Sequence, residues 1–224
     1  MLPLYDTVRS RKFPLINLIL IVVNILVFFY EQQLSSSALE RFIFTWGFIP
    51  AHLTSHLSAY WMTIFTAMFL HGSWIHVLSN MWFLYIFGDN IEARLGSARY
   101  LLFYLLSGVA AAFLQTYVQP NSPVPAIGAS GAIAGVLGAY LVSFPRSRIA
   151  SLVPILFIFT IVEVPAVIFL IFWFLLQIYS GVFMMQGANA SGVAWWAHIG
   201  GFVFGALTVS FFARRPTYRN GYQE

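Results

Sequence analysis

No cysteine occurs among the 224 residues, so disulfides, thiolate metal sites and a cysteine nucleophile are all excluded. Charge is nearly as scarce. Asp, Glu, Lys and Arg make up 8% of the chain and hydrophobic residues 60%, whereas a soluble domain carries roughly 25% charged residues. That balance excludes a soluble domain and describes a membrane protein. The net charge of +4 would suit an acidic partner. The basic residues, however, fall in short clusters between apolar runs rather than along one face, so no nucleic acid partner is expected and their role is topological. The first apolar run lacks a small-residue cleavage site and is followed by others, which reads as a signal anchor rather than a cleavable leader.

A bilayer core about 30 Å thick needs roughly 17 to 25 apolar residues per helix. Runs of about that size lie at 14–30, 73–91, 98–117, 128–144, 164–181 and 194–213. These predict an all-α polytopic membrane protein of six transmembrane helices, forming one domain over 1–224 with no clear internal repeat. Pro165 suits the first turn of the fifth span, with Glu163 just outside it, and residues 149–162 are expected at the interface. Arg9, Arg11, Lys12, Arg94, Arg99, Arg146, Arg148, Arg214, Arg215 and Arg219 fall on one side of this layout, and only Arg41 falls opposite. The positive-inside bias makes that side, with both termini, cytoplasmic. The first external loop, 31–72, is aromatic and weakly charged and is expected partly in the membrane interface.

Polar groups inside hydrocarbon are costly, and ionisable ones there are usually functional. Counted at ~1.5 Å per residue from the cytoplasmic ends, Ser130 lies ~21 Å above Phe144, His198 ~22 Å above Ala213 and Asn80 ~21 Å above Arg94. Three helices thus place polar groups at one level, about 10 Å below the outer face of a 30 Å core. Ser130 alone, among Gly128, Gly131, Gly135 and Gly138, reads as close helix packing. His198, with Gly201 and Gly205 at i+3 and i+7 on the same helix face, changes that, because such a face lets two backbones approach closely enough for a direct Ser–His hydrogen bond. His76 and Asn80 share a face of the second span; Asn80 suits either a developing oxyanion or an interhelical hydrogen bond. His71 and Trp74, at the loop end leading into that span, read as interfacial. Phe169, Phe172, Trp173 and Phe174 read as lipid-facing, with a gate as the alternative.

Elimination narrows the chemistry. A zinc protease wants two His at i, i+4 with a Glu between them, but His71 and His76 are five apart with no Glu. An aspartic dyad needs two intramembrane Asp residues; the only two are Asp6, in the tail, and Asp89, near the cytoplasmic end of span two. A Ser–Lys dyad fails because the sole lysine is Lys12. With no acid near His198 in the depth count, a Ser–His dyad remains. A proton path through His198 and His76 is the transporter alternative, which lacks paired acids and symmetric broken helices.

Four motifs in order then carry a family resemblance: HGSWIHVLSN at 71–80, Glu92-Ala93-Arg94 with Leu95-Gly96, GASG at 128–131 and AHIGGFVFG at 197–205. The sequence resembles the rhomboid intramembrane serine proteases from the first span to the sixth. The resemblance implies a six-helix rhomboid bundle with Ser130 as nucleophile, His198 as base and acid, and His76, Asn80 and the Ser130 amide as oxyanion donors. Gly128, Gly131, Gly135, Gly201, Gly205, Glu92 and Arg94 are its structural supports. It also implies no cofactor or metal, transmembrane protein substrates cut near their outer ends, a bacterial cytoplasmic membrane, and a site opening to the extracytoplasmic side between spans two and five. A rhomboid-like scaffold that binds transmembrane clients without cutting them is the alternative. Two positions depart from the pattern. Ala134 stands where some rhomboids carry a Tyr stacked on the histidine, so His198 must be oriented by another group. Trp61-Met62 stands near where many show Trp-Arg.

Overall fold

The computed structural model describes residues 1–8, 10, 12–155, 158–185 and 193–213. Arg9, Arg11, Arg214, Arg215 and Arg219, on which half of the charge-side argument rests, lie outside them. Six longer helices form the bundle: α1 (Leu15–Glu31), α6 (Trp74–Leu95), α7 (Ser97–Val118), α8 (Ser130–Ser143), α9 (Ala166–Met185) and α10 (Trp195–Phe212). Between α1 and α6 the chain makes short helices α2 (Ser36–Trp46), α3 (Pro50–Ser55), α4 (Leu57–Tyr60) and α5 (Thr63–Thr66) and a 3₁₀ turn (Ala67–Phe69). These leave Phe44, Trp46, Leu57, Trp61 and Met62 exposed, an apolar surface suited to the membrane interface.

The chain is an integral membrane protein. Segments Ser97–Val118, Ala166–Phe183 and Trp195–Phe212 are long and apolar enough to cross a membrane, and α1 and α8 are apolar but shorter. Helix α6 has 22 residues, but its polar residues His76, Asn80, Asp89 and Asn90 dilute its hydropathy.

The start of the fifth span needs correction. Over residues 149–162, expected at the interface, β2 (Arg148–Ile155) and β3 (Ile158–Pro165) form an antiparallel hairpin, with β1 (Leu2–Asp6) on the far side of β2. The hairpin is rich in β-branched residues, which favour strands. Pro154 is tolerated because pairing with β1 stops at Leu152, so β2 is an edge there. Pro165 therefore ends β3 rather than opening the helix, and α9 starts at Ala166. Glu163 faces Arg148 at 3.7 Å, an exposed pair of small energetic value.

The sheet docks on the end of the bundle away from Ser130. The Trp82 indole donates to the Pro3 carbonyl at 2.6 Å, the Asn90 amide donates to Asp6 at 2.9 Å, and the Tyr140 hydroxyl also donates to Asp6. Burial pushes the Asp6 carboxyl up to about 6, against hydrogen bonds that pull it down. At the same end, Lys12 donates to the Ala93 carbonyl and Arg99 to those of Phe212 and Ala213, as cations near helix C-termini do.

Glu92 ties the first helix to the bundle. Its carboxylate, 3% exposed, accepts from the Ile16 amide at 3.1 Å, the Asn17 amide at 2.8 Å and the Ser97 hydroxyl at 2.6 Å. It thereby satisfies amides that the first turn of α1 leaves without partners. Asn17 continues the network, donating to the Leu84 carbonyl and accepting from the Tyr100 hydroxyl. Arg94 is exposed and joins no hydrogen bond or ion pair among the described residues; its support is limited to a positive charge in the last turn of α6. Replacing Glu92 by Ala is expected to destabilise the bundle by about 3 kcal/mol, because buried donors lose a charged acceptor. Denaturant unfolding in detergent measures this.

Candidate active site

Ser130 is the first residue of α8, two positions later than the predicted start of that span. The delay comes from Gly128, whose φ of +118° lies outside any helix and in a region that side chains rarely adopt. The turn is held by the Gly128 amide, which donates to the Ala67 carbonyl at 2.8 Å. It also keeps a space clear, since a Cβ at 128 would come within 2.6 Å of His76 Nε2.

His198 lies in the first turn of α10 and is 9% exposed. Side chains at Gly201 and Gly205 would collide with the Gly131 and Gly135 carbonyls of α8, so the two backbones are in direct contact. The Ala197 amide, in the first turn of α10, donates to Gln115 Oε1 of α7 at 3.2 Å and to the Ala194 carbonyl at 3.0 Å. With α8 and α10 so close, the Ser130 Oγ and His198 Nε2 atoms stand 2.7 Å apart, in a direct hydrogen bond. The other ring nitrogen, Nδ1, is hydrogen-bonded to Gln177 Oε1 of α9 at 2.8 Å. The Trp173 ring lies against the imidazole at 6.1 Å and 33°, and the Trp195 ring meets it edge-on at 5.9 Å and 86°. These groups occupy the surroundings of His198, while Ala134 is fully buried.

A cleft of about 600 Å³ opens beside these residues, lined among others by His76, Asn80, Phe83, Ser130, Trp173 and His198. His76 and Asn80 therefore share one cavity with Ser130. His71, read as interfacial from its sequence position, is 2% exposed. The Asn80 amide donates to His71 Nε2 at 3.0 Å, and the His71 and His76 rings are 5.0 Å apart. The His71 backbone amide in turn donates to the Glu31 carboxylate at the end of α1, at 3.2 and 3.3 Å.

The site geometry is matched by similarity along the chain: residues 58–215, which hold all four motifs, match the Rhomboid domain. The chain belongs to the rhomboid family. It is 31% identical over 131 residues to the putative rhomboid protease YdcA of Bacillus subtilis, covering 58% of this chain and 63% of that one. To the rhomboid protease GluP of the same organism it is 32% identical over 128 residues, 57% of this chain and 24% of that protein. To RHOMBOID-like protein 1 of Arabidopsis thaliana it is 31% identical over 184 residues, 82% of this chain and 41% of the relative. Each match spans less than two thirds of the relative's own length.

Sequence reasoning missed Gln177 and Gln115 in this rhomboid. The available signal was chemical: Gln177 is the one side-chain amide within the apolar α9, and Gln115 a buried amide in α7. The aromatic stretch of α9 is also more inward than expected. Phe169 is 6% exposed, Phe174 stacks on Phe202 at 4.5 Å, and Trp173 touches His198, leaving only Phe172 of the four exposed.

Two tests follow from this rhomboid's geometry. Gly128→Ala is expected to cost about 1–3 kcal/mol of stability, the range for forcing a side chain into such backbone geometry, read by thermal unfolding in detergent. Burial, with the nearby His76 adding to it, holds the His71 ring down at about 3 instead of 6.5. Between those values the unfolded chain binds more protons, so this contribution is complete above 6.5 and is lost as the pH falls toward 3. The stability advantage of the wild type over His71→Asn should shrink across that range, measured by unfolding at several pH values.

Proposed function

We propose that this rhomboid is an intramembrane serine endopeptidase that cuts transmembrane segments of membrane proteins through a Ser130–His198 dyad. The observation that carries the reading is the 2.7 Å hydrogen bond between Ser130 Oγ and His198 Nε2 at the wall of a cleft large enough for a peptide segment. In this mechanism His198 takes the Ser130 proton as the serine attacks the scissile carbonyl, then returns it to the leaving amine; water hydrolyses the acyl-enzyme. The developing oxyanion is met by the Ser130 amide, at a helix start where amides lack intrahelical partners. The second N–H of Asn80 is available beside its bond to His71, and His76 supplies a ring N–H. A peptide bond within a helix is shielded and already hydrogen-bonded, so the substrate must unwind locally to reach Ser130. A second recess of about 50 Å³, lined by Ala111, Ala126 and Ala197, adjoins Ser130 and has room only for a small side chain next to the cut bond. The single-domain organisation, the cytoplasmic termini and the extracytoplasmic opening of the cleft belong to the same proposal, supported by Lys12, Arg94, Arg99, Arg146 and Arg148 at the opposite end of the bundle.

Labelling of the detergent-purified protein by a fluorophosphonate probe tests the reading without knowledge of the substrate. Labelling should vanish in Ser130→Ala and fall to background in His198→Ala. Asn80→Ala should lower turnover of a cleaved transmembrane substrate on the order of 10²-fold, the usual cost of losing one oxyanion donor. A folded wild type that stays unlabelled beside a reactive rhomboid control would support the client-binding scaffold instead.

A further inference from the structure

We propose that Gln177 is a positioning residue that fixes the tautomer and orientation of His198, replacing with a neutral amide from α9 the acid of a serine triad; this rests on the protease reading above. Gln177 is 6% exposed. Its Nε2 donates to the Trp173 carbonyl one turn earlier at 3.1 Å. A carbonyl oxygen only accepts, so the amide's NH₂ group must be the end that faces Trp173. That turns Oε1 toward His198 Nδ1, 2.8 Å away. An amide oxygen also only accepts, so Nδ1 must carry the proton and Nε2 must present its lone pair to Ser130 Oγ at 2.7 Å. This is the protonation pattern that a base acting on the serine needs.

The chain of bonds from Trp173 through Gln177 and His198 to Ser130 therefore has one consistent assignment of hydrogens, and each member dictates the next. Trp173 closes it twice, once by its carbonyl and once by its ring against the imidazole. No ring can reach His198 from position 134, where Ala is fully buried. Orientation of the base thus comes from α9. The amide also suits its place: a carboxylate there would bury a charge in the bundle, at a desolvation cost that one imidazole partner does not reliably repay.

The test uses two substitutions of similar size. Gln177→Met keeps the volume and removes the acceptor; Gln177→Glu keeps an acceptor. The rate of fluorophosphonate labelling is expected to fall about 10- to 100-fold in Gln177→Met and to recover in Gln177→Glu. That is less than the ~10⁴ lost when a serine triad holds its histidine in the wrong tautomer, since Met leaves the ring free rather than reversed. Nitrogen NMR of isotope-labelled histidine in the wild type, with His198→Ala to assign the signal, should show the proton on Nδ1. Wild-type labelling rates in a folded Gln177→Met, or a proton on Nε2 in the wild type, overturn the proposal. The NMR result needs no Gln177 variant and decides the matter even if both fold poorly. A wild type that never labels refutes the protease reading itself, whereas one that labels regardless of Gln177→Met refutes only this role.

Discussion

Gly201 and Gly205 bring the backbone of α10 onto the carbonyls of Gly131 and Gly135 in α8, and a single methyl group at any of the contact points would push the helices apart. Such close approach is how helices associate where lipid and helix surface are equally apolar. Its effect here is specific. Ser130 and His198 sit at the first turns of these two helices, so the separation of the backbones sets the separation of the two side chains. A short serine and an imidazole meet at 2.7 Å only because no side chain stands between their helices.

The starts of the helices meet a second constraint. A helix start exposes amides with no intrahelical acceptor, and within an apolar bundle each must find one or remain unpaired at a cost. Helix α1 uses Glu92, and α10 uses Gln115 beside the Ala194 carbonyl. At α8 Ala129 makes no side-chain cap, and the chain enters the helix from the positive φ of Gly128. This uncapped start adjoins the cleft. In the proposed mechanism an orphaned amide is what a developing oxyanion requires, so the deficit lies where charge is to form.

Much of this was legible from polar residues set against apolar runs. Ser130, His198 and Asn80 stood out because little else polar shared their depth, and the glycine spacing after His198 announced a backbone contact. Helix positions followed from length and hydropathy for α7 and α10. What was missed has physical causes. The β2–β3 hairpin is as apolar as a span, and no strict alternation marked it; β1 is distant in sequence, so its pairing with β2 had no local sign. His71 sits at a loop end, where exposure is the ordinary expectation, and only the folded chain shows it buried between Glu31 and Asn80. Gln177 was hidden by its surroundings, one amide in a run whose aromatics suggested contact with lipid.

That amide bears on why a dyad is sufficient in the proposed mechanism. A serine triad uses a buried carboxylate to hold the imidazole and to stabilise its charged form as the proton arrives. An amide oxygen supplies the first of these functions and only a dipole's share of the second. Inside the bundle the exchange is reasonable, because a carboxylate would have to be desolvated in every folded molecule, whether or not substrate was bound. The imidazolium, by contrast, exists only in passing, beside an oxyanion of opposite charge a few ångströms away. The charge pair created during the reaction stabilises itself, and the resting site contains no net charge to bury. Holding the imidazole in one tautomer is then the part of the triad's work that a neutral residue can perform, and the position of Gln177 between Trp173 and His198 is suited to that alone.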